Sequence, residues 1–330
     1  MNKRLILIGP TKLENEEPQG SVVLFEELLG YLKREKVDFE LFSTTKKDTW
    51  FIFRFISFLV ATASRDSIYS FHSSRDYIYL LPIIKIFCFF SKSKISLRKF
   101  GQELYDSLTG KRGFIERLLS NLAIKLTDQL YVETKALISK LESFGISSKW
   151  IPNTRKQSQH ITDSVFSGKG IFIGRVSKLK GINDLISLSL LLNDISIDIY
   201  GSLTNDFTIE EVSTGSLRYK GYIDNVEIYK TLSKYDFLIL PSYQEGYPGV
   251  IVEAFACGVP CIAYNVGGLS EMIDGNNGVL IEASKVELIG EAIKDIKVDY
   301  KNYTNNALSS FSKYNTDVVI HDYLVGLNEI

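Results

Sequence analysis

Two acids and two cations are spaced as chemistry would need them. Glu245 and Glu253 stand eight residues apart in the stretch Tyr243–Gly267, YQEGYPGVIVEAFACGVPCIAYNVG. Eight residues are about two helical turns, so both carboxylates can fall on one face. Between them Gly246, Tyr247, Pro248, Gly249 and Val250 read as a turn entering a helix. Glycines at such a mouth let backbone N–H groups approach a ligand where the helix dipole favours an anion. The arrangement suits a ligand with a phosphate and several hydroxyls: amides for the phosphate, carboxylates for the hydroxyls. The plainer alternative is a helix start with two solvated acids. Upstream, Arg175 and Lys180 lie five residues apart in the run Gly174–Gly181. Two cations flanking a strand-to-helix turn can bracket a diphosphate and neutralise charge on a departing group.

These residues need a scaffold of alternating strands and helices. Leu5–Ile8 reads as the first strand, 21–32 as a helix with apolar residues at helical spacing, and 39–42 as a second strand. Ser67–His72 reads as the fourth strand of the first half. Residues 94–97 read as another, entering Arg98-Lys99-Phe100-Gly101. Asp48–Ala63 (DTWFIFRFISFLVATA) is strongly apolar and reads as a buried helix or as one lying on a membrane. Lys111–Leu126 reads as a basic amphipathic helix. In the second half, strands are expected at 170–174, 196–200, 237–240 and 261–264, and helices at 182–192, 286–296, 303–311 and 316–327. Alternation throughout implies parallel sheets with right-handed crossovers.

Glu245-Gly246-Tyr247-Pro248-Gly249 with Glu253-Ala254 and Gly258-Val259-Pro260 resembles the E-x7-E signature of the retaining glycosyltransferases of family 4, with the GT-B fold. Gly267-Gly268-Leu269-Ser270-Glu271 and Asn277-Gly278-Val279-Leu280 are similar to the family's next two elements, so four elements follow in order within about forty residues. Gly174-Arg175 with Lys180-Gly181 resembles a further element, and Trp150-Ile151-Pro152-Asn153 the hinge between domains. The resemblance implies α/β architecture: two Rossmann-like domains with parallel sheets facing across a cleft. The implied division is an acceptor-binding domain over 1–153, a nucleotide-sugar domain over 154–310, and a C-terminal helix over 311–330 returning to the first. Residues 154–168 read as a polar linker.

The roles carried over follow that match. Arg175 and Lys180 would hold the diphosphate, Glu245 the sugar hydroxyls and Glu253 the ribose. Gly20 and Ser21 would lend amides to the phosphate, although the family pattern has two glycines there; Ser21 can also cap the helix. Gly174, Gly201 and the Tyr219–Tyr222 segment, with Tyr222, would line the donor through backbone groups, alongside Gly246–Val250. His72 ends a strand where the family often has a histidine near the donor sugar, and it is counted with the catalytic residues. Phe100 stands where the family commonly has another histidine, so an acid–base role there is in doubt. Arg98 and Lys99 face an acceptor phosphate or form a solvated pair.

Composition bounds the alternatives. The 330 residues have room for two domains, and 45% are hydrophobic against 23% charged, which is a globular balance. No apolar run is long enough to span a bilayer, and the apolar stretch after Arg4 is too short for a signal peptide. Three cysteines make no disulfide framework, and Cys257 and Cys261 read as packed small residues, which fits a cytoplasmic setting. Net charge is +7 over residues 1–155 (24 basic, 17 acidic) and −8 over the rest (14 basic, 22 acidic). A basic half suggests an anionic partner, and a membrane surface on the inner face of the plasma membrane is one candidate. No Asp-x-Asp occurs to bridge a metal, so no metal and no cofactor are expected. No G-x-G-x-x-G follows a strand, which disfavours a dinucleotide enzyme.

The function expected is transfer of a sugar, with retention, from a UDP-sugar or, less favoured, a GDP-sugar to a saccharide acceptor. That acceptor would be lipid-linked, in bacterial surface polysaccharide assembly. The competing reading is a catalytically silent relative that supports a partner enzyme.

Overall fold

Strands in this chain are short apolar runs, and the side each residue faces follows their period of two. The structure is a computed structural model and describes residues 3–13, 20–62, 66–72, 75–89, 91–100, 103–192 and 194–330. In chain order, the first strands and helices are β1 (Arg4–Gly9), α1 (Gly20–Arg34), β2 (Phe39–Ser43), α2 (Phe51–Thr62), β3 (Ser67–His72) and α3 (Tyr77–Cys88). Next come β4 (Lys94–Lys99), α4 (Glu103–Leu108), α5 (Phe114–Lys125), β5 (Gln129–Val132), α6 (Lys135–Glu142) and β6 (Lys149–Trp150). The later elements are β7 (Lys169–Ile173), α7 (Ile182–Ser189), β8 (Ser196–Tyr200), β9 (Leu217–Gly221), α8 (Ile228–Leu232), β10 (Phe237–Leu240) and α9 (Gly249–Ala256). The chain ends with β11 (Cys261–Tyr264), α10 (Leu269–Met272), β12 (Gly278–Ile281), α11 (Val286–Val298), α12 (Tyr300–Ser310) and α13 (Thr316–Asn328).

The chain divides into two units, Met1–Thr154 with Thr316–Ile330, and Arg155–Asn315. The first holds a parallel six-stranded sheet in the order β2-β1-β3-β4-β5-β6. Its central strands β1, β3, β4 and β5 are buried on both sides, as parallel strands covered by helices must be, and the edge strands β2 and β6 are partly exposed. Leu5, Leu7 and Ile68 pack with α1 and α13. The alternate residues Ile6, Ile8, Tyr69, Phe71, Ile95 and Leu97 pack with α2, α3, α4, α5 and α6. The second unit has its own parallel sheet, β12-β11-β10-β7-β8-β9, around one core drawn from β7, β10, β11 and the helices α7, α9, α11 and α12.

Four expectations are corrected. Ser67–His72 is the third strand in the first unit, not the fourth. Asp48–Ala63 is neither buried all round nor free of the core: Phe51, Phe55 and Leu59 are buried in α2, and Trp50 and Phe53 are exposed. Residues 154–168 are no free linker. Thr154, Arg155 and Ser158 are buried, and Thr162 donates from its N–H to the Cys257 carbonyl and from its hydroxyl to the Tyr235 carbonyl. The last helix starts at Thr316, as its periodicity predicts, but the segment that joins the first unit starts there too and not at 311, because Phe311 and Tyr314 belong to the core of the second unit. Gly101, the last residue of the Arg98-Lys99-Phe100-Gly101 run after β4, lies outside the described residues.

Candidate functional site

In the second sheet the strand order reverses between β7 and β10, so the turns leaving their carboxyl ends diverge to opposite sides. That is where open α/β sheets bind ligands. The turn after β7 carries Gly174, Arg175 and Lys180, and ends at Gly181, φ 72°, as the N-cap of α7. The turn after β10 carries Glu245 to Pro248 and leads into α9 at Gly249, with Pro248 extended at the N-cap. Tyr243 N–H donates to the Leu179 carbonyl at 3.0 Å and joins the two turns. The turn after β11 joins them from the other side, with Gly268 N–H donating to the Gly246 carbonyl at 2.9 Å.

Close backbone approach explains two glycines. A Cβ on Gly181 would lie 1.9 Å from the Pro241 carbonyl oxygen, and one on Gly267, φ 58°, would lie 1.9 Å from that of Glu245. Only glycine lets these turns touch, and the contact sets where Glu245 stands. The turns after β7 and β8 meet likewise: Gly174 N–H donates to the Tyr200 carbonyl at 3.0 Å and Gly201 N–H to that of Gly221 at 2.9 Å. Tyr222 follows, half exposed.

The charged side chains fall on these turns. Lys180 Nζ lies 2.5 Å from Glu245 Oε1, with the lysine side chain 29% exposed and the glutamate 8%. Arg175 is exposed and makes no ion pair among the described residues. Glu253, on α9, accepts from Arg155 Nε at 2.5 Å, and both are nearly buried. The Arg155 guanidinium fills the space beside Gly249, where a Cβ would lie 1.9 Å from Nη2. Asp184, on α7, accepts from the Tyr243 hydroxyl at 2.7 Å and the Tyr264 hydroxyl at 2.5 Å. Burial and this carboxylate push the Tyr264 hydroxyl up, so it stays protonated and donates.

The second unit thus brings Arg175, Lys180, Glu245, Gly246, Gly249, Val250 and Glu253 onto adjoining turns and the helix they start. Tyr247 and Pro248 belong to the same turn, but the Tyr247 ring points inward, with its hydroxyl 3.3 Å from that of Tyr314. Tyr247 therefore packs the turn rather than lining an open surface. Two residues of this group carry no sequence signal: Arg155 sat in a stretch read as linker, and Asp184 looks like an ordinary first-turn acid.

The first unit holds the remaining candidates. Helix α1 starts at Gly20, so Ser21 lies inside the first turn rather than capping it. Among the described residues a Cβ at Gly20 would meet nothing within 4 Å, so no close approach requires glycine there. His72 is fully buried at the end of β3, its ring 5.0 Å from that of Phe25 and 5.9 Å from that of Tyr323. Nε2 lies 2.8 Å from the Ser70 hydroxyl and 3.4 Å from that of Tyr323. Burial, helped by the Arg98 charge, holds the imidazole well below its ordinary value, so it is neutral. Among the described residues this is the setting of a packed core histidine, with the ring closed in by Phe25, Ser70 and Tyr323.

Arg98 and Lys99 are likewise not a solvated pair. Both are buried; Arg98 donates to the Pro152 carbonyl at 3.0 Å, and Lys99 Nζ sits 4.4 Å from the centre of the Tyr77 ring. Burial lowers the lysine to about 7 and the arginine to about 10.

Residues 159–314 match the family described as glycosyl transferases group 1. The D-inositol 3-phosphate glycosyltransferase of Paenarthrobacter aurescens (strain TC1) is 28% identical over 171 residues, covering 48% of this chain and 40% of that one. The O-antigen biosynthesis glycosyltransferase WbnH of Escherichia coli is 28% identical over 208 residues, covering 60% and 58%. The chain spans about half the length of these curated relatives. HepE from Anabaena, solved in complex with UDP, superposes with a TM-score of 0.77 at 14% identity, over 99% of this chain and 100% of that one. The fold of the chain is GT-B, and its residues 159–314 match the glycosyl transferases group 1 family.

Proposed function

We propose that this protein is a retaining glycosyltransferase of family 4 that moves a sugar from a nucleoside-diphosphate donor, UDP in preference to GDP, to a saccharide acceptor. The acceptor is lipid-linked, and the product enters a bacterial surface polysaccharide. One observation carries the reading. Lys180, Glu245 and an open Arg175 converge on turns that hydrogen bonds and glycine contacts lock together at the reversal of strand order. The UDP bound by HepE and the O-antigen role in the name of WbnH support the choice of donor and pathway class.

The mechanism follows from charge. The acceptor hydroxyl oxygen bonds to the anomeric carbon on the face from which the diphosphate leaves, as the bond from that carbon to the phosphate oxygen breaks. The hydroxyl proton passes to that phosphate oxygen, so no protein base is required. Arg175 and Lys180 meet the negative charge that grows on the diphosphate. A lysine has three donors, so Lys180 can keep Glu245 in place while it binds phosphate. The second oxygen of Glu245 is then available to a sugar hydroxyl. Glu253, held by Arg155 through one oxygen, offers its other to the ribose. The amides at the start of α9 add neutral donors. Arg175 and Lys180 supply the charge neutralisation that a divalent metal gives other transferases, so the reaction proceeds without one.

Titration calorimetry with UDP tests the donor site. Lys180→Ala removes a charged hydrogen bond worth about 1.5–3 kcal/mol, so affinity should fall roughly ten- to hundredfold, and transfer from a UDP-sugar should fall further. Unchanged affinity and rate, with an unaltered melting curve, would show that the phosphate binds elsewhere.

A further inference from the structure

Helices α2, α3 and α5 lie side by side on one face of the first sheet, and their outer surfaces carry most of that unit's exposed large apolar side chains. The clearest case is α5. Its buried residues are small, Ser120 and Ala123, whereas Phe114, Ile115, Leu118 and Leu122 are 45–77% exposed. At 3.6 residues per turn those four fall within about 100° of the helix circumference, away from Ala123. Leu119 and Ile124 pack against the core at partial burial, so the helix carries a second apolar stripe that no part of the described chain covers. From α2 and the residue before it, Trp50, Phe53 and Val60 are 63–67% exposed, opposite the buried Phe51, Phe55 and Leu59. From α3, Tyr79, Ile86 and Phe89 are 65–75% exposed. Scattered apolar residues on a surface need no explanation, but stripes on three adjacent helices do.

Charge says what covers them. Residues 46–126 contain 14 Lys and Arg, 12 without the buried Arg98 and Lys99, against 6 Asp and Glu, whereas the rest of residues 1–155 contains 10 against 11. The positive charge of the first half therefore resides in the segment that builds the apolar face. Its acids are mostly spoken for: Asp48, Asp76, Glu103, Asp106 and Glu116 are in ion pairs. Lys46, Lys85, Lys92, Arg117 and Lys125 make none among the described residues. A second copy of the same face would set like charges against each other. An anionic lipid surface would not, and Trp, Phe and Lys are the residues that settle at such an interface. Among the described residues no helix is long and apolar enough to cross a membrane, so the contact is with the surface.

We propose that the outer face of α2, α3 and α5 lies on an anionic bilayer. Trp50, Phe53, Phe89 and Phe114 enter the headgroup layer, and Lys85, Arg117 and Lys125 meet lipid phosphates. The proposal names the surface through which the protein reaches a lipid-borne acceptor, but it stands apart from the donor chemistry because its test has no activity readout.

The test is flotation of the full chain with phosphatidylcholine vesicles containing or lacking phosphatidylglycerol, in low and high salt. The chain should float with the anionic vesicles, more weakly at high salt, and poorly with the neutral ones. Arg117→Glu with Lys125→Glu should lower partitioning by at least about tenfold, and Phe53→Ser with Phe114→Ser by a similar factor. All four positions are exposed, so melting curves should not change. Absence of binding to anionic vesicles overturns the proposal, as does equal binding by the variants. A concentration-dependent dimer that both double variants abolish, without vesicle binding, would assign the face to a second copy instead.

Discussion

At the scale of single residues, the two acids of the second unit are held by different cations with different consequences. Glu245 is bound by a lysine that keeps some exposure and can exchange partners. Glu253 is bound by Arg155 in a nearly closed site, where an unpaired charge is costly. Arg155→Met should therefore destabilise the second unit by about 3–5 kcal/mol, read as a fall in melting temperature. Arg155→Met with Glu253→Gln should recover part of that loss, because no buried charge is left alone. Gly249→Ala should give a weaker version of the same defect by pushing the guanidinium aside. If Arg155→Met melts like the parent chain, the pair is not holding α9. Spacing and the family resemblance together single out Glu245, Glu253, Arg175 and Lys180, which the second unit sets on adjoining turns and the helix they start. Spacing is silent on Arg155, whose partner lies 98 residues away. It is silent, too, on the burial of His72, because the end of a strand does not reveal that Tyr323, 251 residues on, will pack against the ring.

At the scale of elements, most strands are legible to within a residue or two because apolar runs flanked by glycine or polar turns have few other uses, whereas β6, β9 and β12 are not read as strands in the sequence. What periodicity misses is which face of a helix meets the core. Asp48–Ala63 is apolar all round, and only tertiary packing shows that Phe51, Phe55 and Leu59 turn inward while Trp50 and Phe53 turn out. The segment 154–168 failed for the opposite reason: polar composition suggested a linker, yet its backbone is tied to the Cys257 and Tyr235 carbonyls. The turns at the donor site depend on backbone contacts that glycine allows. Gly267→Ala would set a Cβ against the Glu245 carbonyl at a φ of 58°. That conformation alone costs about 1–2 kcal/mol in an L-residue, and relieving the clash must move the turn that carries Glu245. The expected result is a loss of kcat larger than the loss of UDP affinity, since Glu245 is assigned to the sugar and not to the phosphate. Parent-like kcat in a folded Gly267→Ala chain would separate Glu245 from catalysis.

At the scale of the whole molecule, the first unit is built from both ends of the chain. Helix α13 contributes Ile320, Tyr323, Leu324 and Leu327 to the core side formed by Leu5, Leu7, Phe25 and Leu28. Its Tyr323 hydroxyl lies 2.6 Å from that of Ser70, and Asp317 pairs with Arg34 at its outer end. Burying four such side chains is worth about 6–12 kcal/mol before entropy is counted, which is comparable to the whole stability of a typical domain at about 5–15 kcal/mol. Truncation after Asn315 should therefore leave the first unit without a stable core while sparing the second, whose core draws on no residue beyond Tyr314. Scanning calorimetry of the truncated chain should lose the transition of the first unit, and a dye that binds exposed apolar surface should brighten at temperatures where the full chain is native. The ion pair is exposed and contributes little, so Asp317→Asn in the full chain should melt within about 0.5 kcal/mol of the parent. A truncated chain that keeps both transitions would mean that α13 rests on a core already complete without it.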